Sequence, residues 1–338
     1  MDIDWQNLGF TYMQTRSHIR YTWRNGAWDS GELHEDPTIK IHIAATALHY
    51  GQACFEGLKA FSLKDGSVAV FRMGDNARRM QASAARTLMQ APSEEIFSDA
   101  VLRVVAANRD YVPPYGSGGS LYIRPLLIGS GARIGVAPAD EYTFIVLVTP
   151  VGNYYKKGLL PVSAMVVPGY DRAAPDGVGA AKVAGNYAAD MVPNRIAREA
   201  GCPINLYLDS REHTYIDEFG TSNFIGITKD GRYVTPASSS ILASITNQTL
   251  MTLAQDSGMP VEQRPVALGE VRDMAEVGAC GTAVVITPVN RIVHGDTIYK
   301  IGPDDACGPV LNQLYNTVRG IQTGDLPDRH GWLRNVPA

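Results

Sequence analysis

The sequence predicts a mixed α+β protein of two domains. Strand-length apolar runs recur along the chain among a few helical segments, without the regular strand–helix alternation of a parallel α/β fold. The 338 residues also exceed what a single hydrophobic core usually organises. Residues 149–158 are polar and interrupted by Pro and Gly, which is typical of a connection between domains. We therefore expect a small N-terminal α/β domain over residues 1–150, an interdomain loop over 151–158 and a large C-terminal domain over 159–338.

The first half of the chain combines strands with helices. Residues 67–72 alternate in polarity and are rich in Val and Phe, which predicts a strand. Residues 76–89 are rich in Ala and Arg without helix breakers, and residues 97–108 show a similar pattern, so both are predicted helices. The apolar runs at 121–128 and 142–148 have the length expected of buried strands.

The second half is predicted to contain two helices and three strands. Its first helix ends at Gly201, and its second begins after Ser244 and ends before Gly258, because serine and glycine are favoured at these two ends. The predicted elements are a strand over 162–167, a helix over 186–199, a strand over 204–208, a helix from 245 and a strand over 284–287.

Composition excludes several classes of function. The formal charge of -4 gives no reason to expect a nucleic acid or an anionic membrane as partner. Residues 1–23 scatter charged side chains, and the longest apolar runs have only strand length, so we expect neither a signal peptide nor a membrane span. Because the four cysteines show no paired spacing, we expect no metal site and no disulfide framework, in a soluble cytoplasmic protein.

Lys182 lies in the segment GAAKVAGNY (residues 179–187), among small uncharged neighbours. Desolvation lowers the pKa of an ammonium group and exposes the lone pair that Schiff-base chemistry requires. Tyr187 and the downstream carboxylate Glu218 are candidates for an acid–base partner and a counter-charge, and this set suggests pyridoxal phosphate. A lysine among Ala and Gly is also common in solvated loops, so the segment alone leaves both interpretations open.

Two later segments have the features of a phosphate site. The helix that begins after Ser244 presents backbone N–H groups and the positive end of its dipole, which together bind phosphate. Small residues at 278–283, ahead of the predicted strand over 284–287, allow an anion to approach backbone N–H groups and a threonine hydroxyl. Each segment alone is equally consistent with an ordinary capped helix or a tight turn.

Several ordered motifs together resemble the branched-chain amino acid aminotransferases, which are fold-type IV pyridoxal-phosphate enzymes. The resemblance covers residues 38–288. The motifs are ALHYG (47–51), FEG (55–57), YIRP (122–125), the Lys182 segment, EFGTSN (218–223) and GTA (281–283). It implies the two-domain architecture of the D-amino acid aminotransferase type, with the cofactor at the domain interface.

The resemblance implies pyridoxal 5'-phosphate as the cofactor. Lys182 would be the Schiff-base lysine and would carry the proton between the substrate Cα and the cofactor. Glu218 would pair with the protonated pyridine nitrogen, which keeps the ring an electron sink. The family pattern selects Arg79 over Arg78 as the phosphate ligand and leaves Arg78 on a solvated helix face. The further implied cofactor contacts are Tyr187, Thr221, Ser222, Asn223, Ser244, Ile245, Thr246 and Thr282.

The implied reaction moves the amino group of L-leucine, L-isoleucine or L-valine to 2-oxoglutarate, in two ping-pong stages. Arg124, at the edge of the pocket, would meet the γ-carboxylate of glutamate without lying under an aliphatic chain. Ile134 and Val136 match a loop that in this family reaches the neighbouring subunit, which implies a homodimer or a higher homo-oligomer. Plain core packing is the alternative for Phe55 and Val151. The implied substrate contacts are Tyr50, Phe55, Gly57, Tyr122, Arg124, Ile134, Val136, Val151, Tyr154, Thr282 and Ala283.

Other fold-type IV enzymes share the lysine, the glutamate and the phosphate groove. D-amino acid aminotransferases, R-selective amine aminotransferases and aminodeoxychorismate lyase are therefore alternatives, because specificity changes with few pocket contacts. A non-catalytic cofactor-binding protein could lose Lys182 or Glu218, and both are present here. Mammalian members carry a Cys-x-x-Cys pair where this chain has Val284 and Thr287, so we expect no thiol switch of that kind.

Overall fold

The computed structural model describes residues 3–152 and 159–337. Within these residues the chain forms eighteen strands, seven α-helices and two 3-10 helices. The strands are β1 His18–Arg24, β2 Ala27–Trp28, β3 Glu32–His34, β4 Ala53–Phe55, β5 Leu58–Ser62, β6 Val68–Phe71, β7 Ser120–Gly129, β8 Tyr142–Val151, β9 Val162–Val166, β10 Ile204–Leu208, β11 Ile216–Phe219, β12 Ser222–Thr228, β13 Tyr233–Pro236, β14 Val261–Arg264, β15 Met274–Gly281, β16 Val285–His294, β17 Thr297–Lys300 and β18 Leu333–Asn335. The α-helices are α1 Thr46–Tyr50, α2 Met73–Arg86, α3 Glu94–Ala107, α4 Ala184–Ala189, α5 Met191–Glu199, α6 Ile245–Asp256 and α7 Pro309–Thr323, and the 3-10 helices are Arg109–Tyr111 and Leu268–Asp273.

Most predicted elements are present, with shifts at their ends. The strand predicted over 204–208 is β10, and β7 and β8 extend the runs predicted over 121–128 and 142–148. Helix α2 begins three residues before the predicted start at 76, and Gly258 has the left-handed backbone expected just after α6, with φ +80°. The mixed α+β class is therefore confirmed. None of the described helices has both the length and the apolar character needed to cross a bilayer.

The prediction of one helix over 186–199 is wrong in one respect. The chain forms two helices there, α4 and α5, with Asp190 between them. The buried Asp190 carboxylate accepts hydrogen bonds from Asn205 Nδ2 and from the Tyr207 hydroxyl, both at 2.8 Å. Starting a new helix at Met191 places Pro193 in the first turn, where its missing N–H removes no intrahelical bond. A continuous helix would have had this proline in its interior.

The described chain forms two compact units. The first contains the described residues up to 152, with Ala181–Ala184 and residues 320–337. The second contains residues 159–180 and Gly185–Arg319. This composition departs from a division into two consecutive segments near residue 150, since the segment that carries Lys182 belongs to the first unit.

An antiparallel sheet organises the first unit. Its described strands follow the order β18-β6-β5-β7-β8-β1-β2, with β3 paired to β1 and β4 paired to β7. Helices α2 and α3 pack against each other, and α3 lies against β8 and β1. Phe97 of α3 stacks on Phe144 of β8, with ring centroids 5.9 Å apart and both side chains fully buried. Because side chains alternate along a strand, Tyr122 and Arg124 of β7 point away from the face that carries the fully buried Ile123.

A ring of six strands organises the second unit. Neighbouring strands follow the order β11-β10-β9-β16-β15-β12, and β11 also pairs with β12, which closes the ring. Strands β13 and β14 continue outward from β12, and β17 pairs with β16. Phe219 of β11 and Phe224 of β12 stack at 5.8 Å in the main apolar cluster of this unit, and both are fully buried. This closed ring holds the residues at the end of β11 and the start of β12 in fixed register, with Glu218 opposite Asn223.

Replacing Phe224 tests this core. We expect Phe224→Ala to lower the free energy of unfolding by roughly 3–5 kcal/mol, because it deletes a fully buried ring and leaves a cavity. Urea unfolding followed by circular dichroism measures the change. The control Met191→Ala removes a side chain that is 71% exposed and should change stability by less than about 0.5 kcal/mol. Equal effects of the two substitutions would contradict the placement of Phe224 in the core.

Candidate active site

Lys182 is held by its backbone against two elements of the first unit. Its N–H donates to the Ser83 hydroxyl of α2 at 2.9 Å, and its carbonyl accepts the Phe55 N–H of β4 at 3.1 Å. Cys54 and Val183 form a β-bridge beside these contacts. The half-buried Lys182 side chain extends over the Phe55 ring, with Nζ 4.8 Å from the ring centroid. The lysine therefore has a fixed backbone and an aromatic neighbour, and it is not a solvated loop residue.

Arg79 makes a buried bidentate ion pair with Glu56. Its Nε and Nη2 each donate to one Glu56 carboxylate oxygen at 2.7 Å. The Glu56 side chain is completely buried, and it also accepts a hydrogen bond from Asn76 Nδ2 at 2.8 Å. The adjacent Arg78 lies on the exposed face of α2, paired with Asp75 and Glu94. Of the two neighbouring arginines, only Arg79 is directed into the unit and fixed there.

Arg124 lies against two aromatic rings of the first unit. Its guanidinium carbon is 4.8 Å from the Phe55 centroid and 5.2 Å from the Tyr122 centroid, and Nη2 donates to the Tyr122 hydroxyl at 3.0 Å. Arg124 Nε is buried and finds no hydrogen-bond partner among the described residues. A Cβ at Gly57 would collide with the Tyr122 hydroxyl, so glycine is required for this close approach. The structure therefore brings together Phe55, Gly57, Tyr122 and Arg124.

The other predicted substrate contacts of the first unit differ in their exposure to solvent. Tyr50, at the end of α1, donates to the Ile134 carbonyl and is 41% exposed. Ile134 and Val136 are exposed, at 69% and 87%. Val151 is completely buried at the end of β8, as a core side chain is, and its substrate role stays a prediction. Tyr154 lies outside the described residues.

Glu218 of the second unit is a buried carboxylate with an arginine partner. Glu218 is 2% exposed and projects from β11, and its Oε1 lies 2.9 Å from Arg172 Nη1. Asp217, its neighbour along the strand, has its pKa raised by burial and accepts the Ser238 hydroxyl hydrogen bond. Since side chains alternate along β11, the two carboxylates point to opposite faces of the strand.

Leu242 connects Glu218 to Asn223. The Leu242 N–H donates to Glu218 Oε1 at 2.9 Å, and its carbonyl accepts from Asn223 Nδ2, also at 2.9 Å. Asn223 stands opposite Glu218 in the register of β11 and β12, and opposite Cys280 on the other side. The backbone of one residue therefore fixes two predicted cofactor residues. The neighbouring Ser222 is half-buried, and Thr221 is exposed at the turn between the strands.

Helix α6 has the capped N-terminus that its sequence predicts. The buried Ser244 is the N-cap, and its hydroxyl accepts the Asn247 N–H at 3.1 Å. Ile245 and Thr246 are the first two helical residues, and N–H groups at these positions lie outside the intrahelical hydrogen-bond ladder. Tyr187 projects from α4 and is half-buried. An anion can be bound at the N-terminus of α6 by backbone N–H groups and the helix dipole.

Within the segment of small residues at 278–283, the turn begins later than the sequence suggests. Strand β15 continues through Gly281, which is paired with Val285, and the turn consists of residues 282–284. The turn therefore presents Thr282, half-buried, and Ala283, exposed. Val285 closes it with φ +66°, a left-handed conformation that a β-branched residue adopts only under strain. A strained closing residue fixes the backbone on which Thr282 and Ala283 lie.

Cys280 lies behind this turn as a buried thiol. Burial raises its pKa to about 12, so the reactive thiolate form is scarce at neutral pH. All four cysteines are free thiols. The described residues contain no group of three or more His, Cys, Asp or Glu side chains arranged for a metal ion.

Two charged residues of the site have no role assigned by the sequence. Glu56 lies in the FEG motif, and a single charge in the apolar run 53–58 is a signal that it is paired. Arg172 lies in the polar stretch DRAAP (171–175), where nothing distinguishes it from a surface arginine. Their importance becomes visible only through their partners, Arg79 and Glu218.

Comparison with known proteins agrees with this fold. The family described as amino-transferase class IV matches residues 53–292, which is most of the chain. The chain therefore belongs to the class IV amino-transferase family, and the predicted fold-type IV architecture is confirmed.

Individual members of the family are similar to this chain over nearly its whole length. A Haemophilus influenzae protein named branched-chain-amino-acid aminotransferase is 47% identical to this chain and the match covers 99% of both. A Helicobacter pylori protein of the same name is 43% identical over 99% of this chain and 98% of the relative. The solved structure of the branched-chain amino acid aminotransferase from Escherichia coli has a TM-score of 0.77 at 29% identity, covering 95% of this chain and all of that chain.

The Glu56–Arg79 pair is expected to be essential to the stability of the first unit. Glu56→Ala removes the carboxylate that is ion-paired with the largely buried Arg79 side chain, and we expect a loss of roughly 3–5 kcal/mol in the free energy of unfolding. The matched control is Glu94→Ala, which breaks the exposed pair with the adjacent Arg78 and should cost less than about 1 kcal/mol. Urea unfolding of both variants measures the difference. A cost for Glu56→Ala as small as that of the control would refute the buried pairing.

Proposed function

We propose that this chain is a pyridoxal-phosphate-dependent branched-chain amino acid aminotransferase. It transfers the amino group of L-leucine, L-isoleucine or L-valine to 2-oxoglutarate and releases the branched-chain 2-oxo acids and L-glutamate. The two relatives described above are named branched-chain-amino-acid aminotransferase and match the chain over nearly its whole length. One group of side chains in the first unit supports this specificity.

The arrangement of Arg124, Phe55 and Tyr122 carries the proposal. The two rings give an apolar surface suited to an aliphatic side chain, and the guanidinium edge provides donors for a second carboxylate. Arg124 Nε is buried without a partner among the described residues, which is costly unless a ligand satisfies it. One site can therefore bind either a branched aliphatic chain or the γ-carboxylate of glutamate and 2-oxoglutarate.

The residues present fit pyridoxal phosphate. In the first unit, Arg79 offers cationic donors suited to a phosphate group. In the second unit, the N-terminus of α6 and the Thr282 hydroxyl also offer donors suited to a phosphate group. Glu218 is a buried carboxylate of the kind that holds a protonated pyridine nitrogen. When bound, the cofactor supplies a ring that accepts the electron pair left at the substrate Cα. We assign Tyr187, Thr221, Ser222 and Asn223 as further contacts that orient this ring.

Lys182 is the residue that holds the cofactor covalently and moves the proton. Its backbone is fixed by Ser83 and Phe55, so the amine can leave and return to the same position during the reaction. In the first stage the amine would take the proton from the substrate Cα and pass it to the cofactor carbon that receives the amino group. In the second stage it would carry a proton in the opposite direction, to the Cα of the new amino acid. Thr282 and Ala283, on the strained turn, provide N–H donors suited to the substrate α-carboxylate.

A half-reaction screen tests this function. The purified protein, loaded with pyridoxal phosphate, is mixed with single L- and D-amino acids, and the visible absorbance of the bound cofactor is followed. We expect rapid loss of absorbance with L-leucine, L-isoleucine, L-valine and L-glutamate, and none with D-alanine. Lys182→Ala should slow the loss by roughly 10⁴-fold, because it removes the acid–base group.

The control for the lysine is Lys64→Ala, an exposed residue whose loss should leave the rates unchanged. Loss of absorbance with D-alanine but not with L-leucine would move the chain to the D-amino acid aminotransferases. A Lys182→Ala protein that turned over near the wild-type rate would contradict the catalytic assignment.

We further propose that the protein is a homodimer, on the basis of an apolar surface in the first unit. Ile43, Leu48, Ile134 and Val136 are large apolar side chains that are 60% or more exposed. The segments that carry them are joined, because the Arg133 N–H donates to the Ala44 carbonyl at 2.8 Å. Clustered exposure of this kind is typical of an interface between subunits.

Charge placed on this surface should weaken the dimer. We expect the wild-type protein to sediment as a dimer, and Ile134→Asp/Val136→Asp to shift it toward monomer and to lower kcat/KM, because the loop contributes to the partner's site. Sedimentation velocity at matched concentrations measures the shift. The control Val192→Asp alters an exposed apolar residue of α5 and should remain dimeric. A double variant that stayed dimeric would refute the interface.

A further inference from the structure

We propose that Arg172 is a positioning residue that fixes the Glu218 carboxylate and keeps it charged, so that the proton stays on the cofactor ring nitrogen. The inference deepens the proposed function and rests on it. Arg172 Nη1 lies 2.9 Å from Glu218 Oε1, and the two side chains are 5% and 3% exposed. Leu242 donates its N–H to the same oxygen. The ion pair and the Leu242 hydrogen bond act on the same oxygen, and together they fix the rotation of the carboxylate.

Arg172 also joins the two backbone segments on either side of this carboxylate. Its Nη1 donates to the carbonyls of Gly179 and Ser240, both at 3.1 Å. Gly179 lies three residues before Lys182, and Ser240 lies four residues before the N-cap of α6. A Cβ at Gly179 would collide with the Ser240 carbonyl, so these two segments pass in direct backbone contact. One guanidinium group therefore contacts the segment that precedes Lys182, the Glu218 carboxylate and the segment that precedes α6.

The charge of Arg172 has a definite effect on where a shared proton lies. A cation beside a carboxylate stabilises the ionised form, and this effect weakens with distance. Arg172 therefore favours the charged form of Glu218 more than it would disfavour a positive charge on a more distant cofactor ring held by that carboxylate. Without Arg172, the carboxylate competes more strongly for the proton, and the ring nitrogen becomes less protonated.

The test uses protein loaded with pyridoxal phosphate carrying nitrogen-15 in the ring, whose nuclear magnetic resonance shift reports protonation of that nitrogen. We expect Arg172→Met to move the resonance toward the neutral-pyridine position and to lower kcat by about 10–100-fold. This is the range seen when a residue that hydrogen-bonds to a metal ligand is mutated. Arg172→Lys keeps the charge, so its resonance should stay near that of wild type. Its cofactor dissociation constant should rise, because an ammonium cannot reach the carboxylate and both carbonyls together.

Two further variants separate charge from structure. Arg172→Gln keeps hydrogen-bond donors but no charge, and it carries the same expectation as Arg172→Met if that variant does not fold. Arg264→Met removes a more exposed ion-paired arginine of the second unit and should leave the resonance and kcat unchanged.

The proposed function and this inference fail in different ways. A wild-type protein that binds no pyridoxal phosphate or transfers no amino group contradicts the function. An active wild-type protein whose neutral Arg172 variants keep the wild-type resonance overturns the inference, whether or not their kcat falls, because a purely structural arginine would not move that signal.

Discussion

The site depends on holding charge inside the protein. Glu56 and Glu218 are both 2% exposed or less, and each lies against an arginine, Arg79 at 2.7 Å and Arg172 at 2.9 Å. An unpaired carboxylate at either position would cost several kcal/mol, so both arginines stabilise the fold. Apolar replacements of such a pair are often as stable, and therefore the charges are explained better by what they bind than by what they stabilise.

Each pair holds one charged side chain in place with a partner of the opposite charge. In the first unit the carboxylate holds the cation, since Glu56 accepts hydrogen bonds from Nε and Nη2 of Arg79. In the second unit the cation holds the carboxylate, since Arg172 is ion-paired with Glu218. Each unit therefore fixes a charged side chain by the same means, a cation in the first unit and an anion in the second.

Much of this could be read from the sequence, where local rules decide the outcome. Ser244 was predicted as an N-cap because a serine hydroxyl satisfies a helical N–H, and the structure agrees. The break at Asp190 was missed, although Pro193 in the middle of the predicted helix could have indicated it. The roles of Lys182, Glu218 and Arg79 come from motifs that resemble a known family, and these roles stay predictions.

The partners of those residues could not be read in the same way. Arg172 and Glu218 are 46 positions apart, and Glu56 and Arg79 are 23 apart. No local rule relates residues at such separations, because the topology of the sheet and helices brings them together. The sequence around residues 171–175 therefore does not show that Arg172 lies inside the fold. Tyr154 and its neighbours stay predictions, since they lie outside the described residues.

Arg124 shows how one rigid site can accept two kinds of side chain. A guanidinium group is planar, with weakly hydrated faces and hydrogen-bond donors at its edge. Here the guanidinium group lies near the rings of Phe55 and Tyr122, and the Tyr122 hydroxyl accepts a hydrogen bond from Nη2. In the proposed function, donors at the guanidinium edge would serve a carboxylate when glutamate is bound, while an aliphatic chain would need only the neighbouring rings. On this proposal, the two substrates would be distinguished by which part of one fixed residue each of them touches, without a movement of Arg124.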